Sequence, residues 1–318
     1  MAKNKTVYLL GILLFLQTGC DEIVSLDHDK GKPYIVINSV LKAENDSILL
    51  QVALTHPAGS NRERIENAEA TLFENGKEIG KFRRQSPGWY VLSRPVYPAS
   101  TYCIQVNVPS YGIAWGETTV PAPIQEGRIE IAGPEHPYGR AQVDMYWTDD
   151  ARIRNYYWIG SAYTDISPET APPDQDTSTL VLHNAYYTRS PLPDPFNRVM
   201  DEGEEIPTSY EYLIRIEDSG LAGIRLHLPF ESSAGAGRYK VFLLNADVHY
   251  DAFLKSSILN RENADTSEDL PLYFEPAYTY SNIHGGTGLI ASYSNFEKIY
   301  IPTYESYFYP VPALPITK

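Results

Sequence analysis

The sequence contains very little cysteine: Cys20 and Cys103 are the two in 318 residues. An intramolecular disulfide would need both, and a thiolate metal site needs several cysteine or histidine ligands close together. Because the motif around Cys20 predicts that this thiol is modified, we expect no disulfide. The fold must then be held by its hydrophobic core, and Cys103 is interpreted as a small apolar filler of a strand.

Positive charge is also scarce. The chain has 26 Lys and Arg against 40 Asp and Glu, which gives a net charge of −14. A protein this acidic is a poor candidate for binding nucleic acid or anionic lipid headgroups through charge. We therefore expect a partner that is neutral, cationic or another protein, and no nucleic acid.

The signatures of several enzyme classes are missing. There is no G-x-S-x-G or H-E-x-x-H motif, and residues 285–288 (GGTG) lack the Lys-Ser/Thr of a phosphate-binding loop. They indicate instead a glycine turn where two backbones pass closely. The histidines are scattered, and the acidic run at 201–205 lacks the spacing of a calcium loop. We predict no catalytic residue, no cofactor and no metal site, although the many carboxylates leave a glycan hydrolase as an alternative.

Long apolar runs are confined to the N-terminus. Residues 7–16 are too few to span a bilayer, which takes about 20 apolar residues in a helix. With Lys3 and Lys5 before it, this run has the pattern of a secretory signal peptide. We therefore predict a signal peptide over residues 1–19.

The run ends in Thr18-Gly19-Cys20, and small residues before a cysteine are typical of a lipoprotein cleavage site. Gln17 departs from the usual leucine of the motif, so an ordinary signal peptide with an accidental cysteine is the alternative. We predict lipidation of Cys20, with acyl chains that bury in a bilayer, and a polar tether over residues 20–32. Asp21 and Glu22 resemble the acidic export signal of surface lipoproteins in the Bacteroidota. This favours a surface-exposed position on the outer membrane over a periplasm-facing one.

The first half of the mature chain shows period-two alternation of apolar residues, as in 47–54 and 101–108, which is typical of half-buried antiparallel strands. Asn75-Gly76 predicts a tight hairpin. Further strands are expected at 34–39, 67–73, 78–83, 89–94 and 113–120. The pattern predicts an immunoglobulin-like β-sandwich over residues 33–123, with Tyr102 as a structural tyrosine corner. Pro121-Ala122-Pro123 marks its boundary.

Residues 124–318 predict a larger β-rich domain with one amphipathic helix at 247–260, capped by Asp247. Residues 165–178 and 190–208 are interpreted as long loops. Strands are expected at 141–147, 155–163, 179–187, 209–217, 223–230, 239–246 and 287–294. The whole chain is thus predicted to be mainly β.

Several segments carry a resemblance to a known family. They are PYIVINSVL, NAEATLFENGK, GWYVLSRPVYPASTYCIQVNVP, TVPAP, DMYWTDDARIRNYYWI and FEPAYTYSNIHGGTGLIASYS. In order and spacing they resemble the Bacteroidota lipoprotein family catalogued as domain of unknown function 4249. Ala99-Ser100 departs from it, because the family more often has a glycine turn there. The family has no established catalytic residues, and its members are often encoded beside TonB-dependent outer-membrane transporters.

The resemblance implies an accessory or binding lipoprotein that partners such a transporter barrel. The alternatives are a surface structural or adhesive lipoprotein and the less favoured glycan hydrolase. If the role is binding, loop aromatics are the candidate contact residues: Tyr138, Tyr186, Tyr187, Phe196 and Tyr278. Asp46-Ser47-Ile48 fits a short O-glycosylation pattern, which would place a glycan on Ser47. Residues 300–315, rich in Tyr and Pro, suggest an extended arm.

Overall fold

The computed structural model describes residues 33–55, 65, 67–133, 140–163, 181–183, 185–186, 192–194, 197–201, 204–208, 210, 212–218, 221, 223–233, 239–269 and 278–300. The chain divides into two compact units, Met1–Pro33 and Tyr34–Lys318. The predicted signal peptide, Cys20 and the tether lie outside the described residues, as do 165–178 and 301–315. Within the described part, no helix is both long enough and apolar enough to cross a membrane.

The elements confirm a mainly β chain. Its strands are β1 (Ile35–Lys42), β2 (Ile48–Leu54), β3 (Glu69–Glu74), β4 (Lys77–Lys81), β5 (Arg83–Ser86), β6 (Trp89–Leu92), β7 (Thr101–Val108), β8 (Gly112–Thr119), β9 (Gln125–Ala132), β10 (Arg140–Thr148), β11 (Tyr156–Tyr163), β12 (Val181–His183), β13 (Ala185–Tyr186), β14 (Asn197–Asp201), β15 (Glu204–Thr208), β16 (Ile214–Glu217), β17 (Arg225–Ser233), β18 (Tyr239–Ala246) and β19 (Gly286–Tyr300). The helix α1 (Val248–Asp269) lies between β18 and β19.

One long sheet runs through the fold in the order β12-β11-β18-β19-β1-β2-β6-β5, with β16 also paired to β11. Two four-stranded sheets accompany it, β4-β3-β7-β8 and β13-β17-β10-β9. The strands β14 and β15 form a separate hairpin, in which Val199 pairs with Ile206. The prediction of a loop over 190–208 was therefore wrong for this part. The prolines and acidic residues of the segment conceal two short strands.

Two hydrophobic clusters fill the spaces between these sheets. The first joins the inward faces of β1, β2 and β6 to those of β3, β7 and β8, which is the predicted N-terminal sandwich. The second joins β9, β10 and β17 to β11, β16 and β18. The clusters divide near Pro121, yet the long sheet contributes to both. The predicted domain division at residues 123 and 124 stays a prediction.

Two local expectations for the sandwich are confirmed. Asn75 and Gly76 form the β3–β4 turn with φ of 49° and 79°, the left-handed values that a tight hairpin needs. Tyr102 is fully buried, and its hydroxyl accepts a hydrogen bond from the Tyr97 N–H at 2.9 Å while donating to Glu74 at 3.0 Å. This is the arrangement of a tyrosine corner, in which the ring packs the core and the hydroxyl fixes the preceding loop.

The glycines at 285–288 allow β19 to lie against β1. Ile35 pairs with Gly286 and Ile37 with Gly288 in a parallel register. A Cβ atom on Gly288 would overlap the Ile37 carbonyl oxygen, and its φ is +114°. The close passage of backbones predicted for this segment is confirmed. It joins the first and last described strands of the chain in one sheet.

The helix begins where predicted but continues about two and a half turns further, to Asp269. Asp247 is its N-cap, because the Tyr250 N–H donates to Asp247 Oδ1 at 2.7 Å. Its apolar side contacts the long sheet, where the ring of Tyr250 stacks on Tyr293 with centroids 5.7 Å apart. Residues 261–269 are polar apart from Ala264, so apolar spacing gave no signal for the last part of the helix.

Candidate ligand-binding cleft

A cleft of about 640 Å³ opens beside the N-terminus of α1. Four chain segments form it: Ala99, the end of β8 with the following prolyl segment, the β10–β11 loop, and the β18–α1 junction. Its lining residues are Ala99, Thr119, Val120, Pro121, Ala122, Asp150, Arg152, Ile153, Arg154, Asn155, Tyr156, Asn245, Ala246, Asp247, Val248 and His249. A concave site with mostly apolar walls and a few convergent polar groups is the usual form of a small-molecule site.

Asp247 holds the helix N-terminus against the first sandwich. Thr118 Oγ1 donates to Asp247 Oδ2 at 2.5 Å, and the Asp247 N–H donates to the Ser292 carbonyl at 3.0 Å. The hydroxyls of Thr118 and Ser292 are 2.6 Å apart. Burial raises the pKa of Asp247, although the hydrogen bonds from Thr118 and Tyr250 oppose this. One wall of the cleft is thus fixed by a buried carboxylate that joins β8, β19 and α1.

Two buried amides form the floor of the cleft. Asn155 Nδ2 donates to Asp149 Oδ1 at 3.1 Å, which fixes the orientation of the Asn155 amide. Its Oδ1 therefore accepts from Asn245 Nδ2, at 3.0 Å. Asn245 Oδ1 is then left with no hydrogen-bond partner among the described residues, and it is out of contact with bulk solvent. A buried acceptor without a partner costs about 1–3 kcal/mol.

The rim of the cleft carries charged groups that are already paired. Arg152 donates to Asp150 in a bidentate pair, from Nε to Oδ1 at 2.8 Å and from its terminal nitrogen to Oδ2 at 2.7 Å. These bonds lower the pKa of Asp150 and keep it ionised. Arg154 pairs with Glu217, and its guanidinium lies 5.6 Å from the centroid of the Tyr156 ring. These rim groups are therefore planar hydrogen-bond donors and acceptors whose charges are already paired within the protein.

Behind this wall lies a buried ionic network. Arg215 is 1% exposed and donates to both carboxylate oxygens of Asp251, in the first turns of α1. Burial alone would lower the pKa of Arg215, but the bonds to Asp251 raise it, so the guanidinium stays charged. Arg215 also contacts Glu217, the partner of Arg154, at 3.2 Å. The charged rim is therefore connected, through Glu217 and Arg215, to the first turns of α1.

His249, on the helix side, has a fixed orientation. Its Nδ1 lies 2.7 Å from the hydroxyl of Tyr280. Burial raises the pKa of Tyr280, so this hydroxyl keeps its proton at neutral pH. The described residues hold no group of three or more His, Cys, Asp and Glu side chains that could bind a metal ion.

Of the aromatic residues predicted as contacts, the structure describes the side chain of Tyr278 alone, and the contact role of all five stays a prediction. Tyr278 is 70% exposed and is not among its lining residues. Tyr186 lies in β13, paired with Glu231 of β17. Tyr138, Tyr187 and Phe196 fall outside the described residues. Sequence reasoning missed Arg152, Arg154, Tyr156 and Asn245, although the cluster of two aspartates and two arginines in residues 149–154, between two strands, was a usable signal.

Comparison with known proteins gives a family but no activity. The family model described as domain of unknown function DUF4249 matches residues 21–299. No curated protein matches. Among solved structures, a β-glucuronidase from glycoside hydrolase family 2 has 8% identity and a TM-score of 0.22, covering 67% of this chain and 19% of its own. The Escherichia coli alpha-2-macroglobulin activated by porcine elastase has 10% identity and a TM-score of 0.22, covering 68% and 18%.

This chain therefore spans about a fifth of the length of those two proteins, and TM-scores this low do not relate their folds to it. The family match covers most of the chain, including every strand that forms the cleft. The chain belongs to the family described as domain of unknown function 4249.

Proposed function

We propose that this protein is a lipid-anchored binding protein of the outer membrane, exposed at the cell surface and accessory to a TonB-dependent transporter. The observation that carries the binding role is the cleft of about 640 Å³ at the N-terminus of α1. Its volume lies within the range of about 300–1,000 Å³ that is usual for small-molecule sites. The anchor rests on the motif at Cys20, and the transporter on the family resemblance.

The carboxylates of the cleft support binding rather than hydrolysis. A glycoside hydrolase needs one carboxyl group that donates a proton and one that stays ionised, both facing the substrate. Asp150 is occupied by the bidentate contact with Arg152. Asp247 uses both oxygens to hold Thr118 and the helix N-terminus. Either group would have to leave its present partners before it could act on a substrate.

Co-purification tests the proposal. The full-length protein is extracted with mild detergent from its own outer membrane, captured through a C-terminal tag, and its partners are identified by mass spectrometry. We expect a stoichiometric TonB-dependent barrel, and the Cys20→Ser variant should lose both membrane retention and the barrel. Recovery of the acylated protein alone would overturn the accessory role and leave the adhesive lipoprotein to be tested on matrix polymers.

A further inference from the structure

We propose that the cleft binds a small, neutral, polyhydroxylated molecule, that is, a saccharide. This inference rests on the proposed binding function and names the chemical class of its ligand. It follows from three features of the lining: its charges are compensated, its polar groups are planar and fixed, and its remaining walls are apolar.

Charge compensation argues against a charged ligand. Arg152 is neutralised by Asp150, and Arg154 by Glu217. Asp247 is buried, and its oxygens accept hydrogen bonds from Thr118 and Tyr250. An anionic or cationic ligand would have to share a group that is already paired, or displace its partner, to compensate its own charge. A neutral ligand has no such requirement.

The paired groups keep hydrogen-bonding capacity that hydroxyls can use. A carboxylate has about four lone-pair positions and a guanidinium has five N–H donors. Asp150 accepts three hydrogen bonds from Arg152, two of them from the guanidinium, so about three guanidinium donors and about one carboxylate position remain unused. A sugar hydroxyl both donates and accepts, and neighbouring hydroxyls match a fixed acceptor beside a fixed donor.

The remaining lining suits the C–H faces of a sugar ring. The guanidinium groups of Arg154 and Arg215 lie over the Tyr156 ring. Ile153 and Val248 flank the opening, and both are about half exposed. Apolar side chains and aromatic rings remove the C–H surface of a ring from water while the hydroxyls meet the polar rim.

The test is titration calorimetry and ligand-observed NMR on the mature protein without its acyl chains. The neutral probes are D-glucose, D-galactose, D-mannose and their disaccharides, and the charged counterparts are D-glucuronate and D-glucosamine. We expect saturable binding of at least one neutral sugar and a loss of about tenfold or more for the charged molecule of the same skeleton. Absence of binding by every neutral probe, or equal or tighter binding of a charged counterpart, would overturn the proposal.

A cleft-filling variant with a matched control locates the site. Val248 lines the cleft and is 53% exposed at the start of α1, whereas Leu259 is 44% exposed on the same helix and outside the cleft. Val248→Trp should weaken sugar binding about tenfold or more, and Leu259→Trp should leave it unchanged. Equal effects of the two variants would show that sugar binds elsewhere and reject the cleft.

The outcomes separate this inference from the function on which it rests. Sugar binding without a co-purified barrel would contradict the transporter partnership and support the saccharide as ligand. A co-purified barrel without sugar binding would support the transporter partnership and contradict the saccharide as ligand. Release of monosaccharide from a bound disaccharide, followed by NMR, would contradict the binding-only function and establish the hydrolase.

Discussion

Arg215 and Asp251 form a bidentate ion pair in the interior, with Arg215 Nε 2.7 Å from Asp251 Oδ1 and a terminal nitrogen 2.8 Å from Oδ2. The pair links β16 to α1, the helix whose N-terminus borders the cleft. Trp158 Nε1 donates to the same Asp251 oxygen at 2.9 Å, so the carboxylate has a nearly complete set of donors. The position of α1, and hence the shape of the cleft, depends on this contact.

Loss of the guanidinium should therefore be costly. Arg215→Met would leave Asp251 buried without its counter-charge, and we expect a loss of about 3–5 kcal/mol in the free energy of unfolding. Arg215→Lys should lose less, because the charge stays while the bidentate geometry is lost. The control is Arg128→Met, since Arg128 pairs with Glu130 at the surface with both side chains about half exposed; it should cost about 1 kcal/mol. Urea denaturation measures all three, and similar losses for Arg215→Met and Arg128→Met would contradict the role of the buried pair.

Asp247 predicts a pH dependence of stability. Its pKa is raised by burial above the ordinary value of 3.8, so the folded chain holds this proton more tightly than the unfolded chain. Stability is then lost as the pH rises from about 3.8 through the folded pKa, and the penalty is absent below that window. Asp247→Asn keeps a capping oxygen and has no charge to bury. The difference in Tm between this variant and the wild type should grow from pH 4 to pH 7, and a difference that is constant over this range would refute the assignment.

Gly288 predicts a steric requirement at the β1–β19 contact. A Cβ there would overlap the Ile37 carbonyl oxygen, whereas a Cβ on Gly76 would meet nothing within 4 Å. Both glycines have positive φ, and this backbone conformation alone should cost alanine about 1–2 kcal/mol at Gly76. The φ of +114° at Gly288 lies further from the left-handed region that alanine can adopt, so the backbone cost there is larger. Gly288→Ala should lose about 3 kcal/mol or more, a loss of the size that strain in a packed interior produces, and Gly76→Ala only the backbone cost. Chemical denaturation measures the free energy of unfolding of the two variants. Equal losses would show that β1 and β19 are not in close contact.

Much of the sandwich could be predicted because its signals are local. The alternation in 47–54 and 101–108 corresponds to β2 and β7, and Asn75-Gly76 to the β3–β4 hairpin. The strand β9 was missed because the positions that alternate with its charged residues begin with Gln125 and Gly127, which leaves Ile129 and Ile131 as a short apolar signal. The pairing of β1 with β19 could not be predicted, because no local pattern specifies a contact between residues about 250 positions apart.

The cleft could not be predicted from local sequence patterns for the same reason. Ala99, Arg154, Asn245 and Val248 come from four separate segments, and each looks ordinary in its own stretch of sequence. Loop aromatics were predicted from composition and stay a prediction, whereas Tyr156, at the start of a strand, lines the cleft. The buried partners of Arg215 likewise appear only when β16 and α1 are brought together.

Occupancy of the cleft in the cell tests the central claim most directly. The wild-type protein, Val248→Trp and Leu259→Trp are each released from their own membrane in mild detergent and weighed intact by native mass spectrometry. The account predicts a non-covalent small-molecule mass on the wild type and on Leu259→Trp, removable by denaturation, and its loss from Val248→Trp. The same mass on all three proteins, or none on the wild type, would contradict the cleft as the binding site.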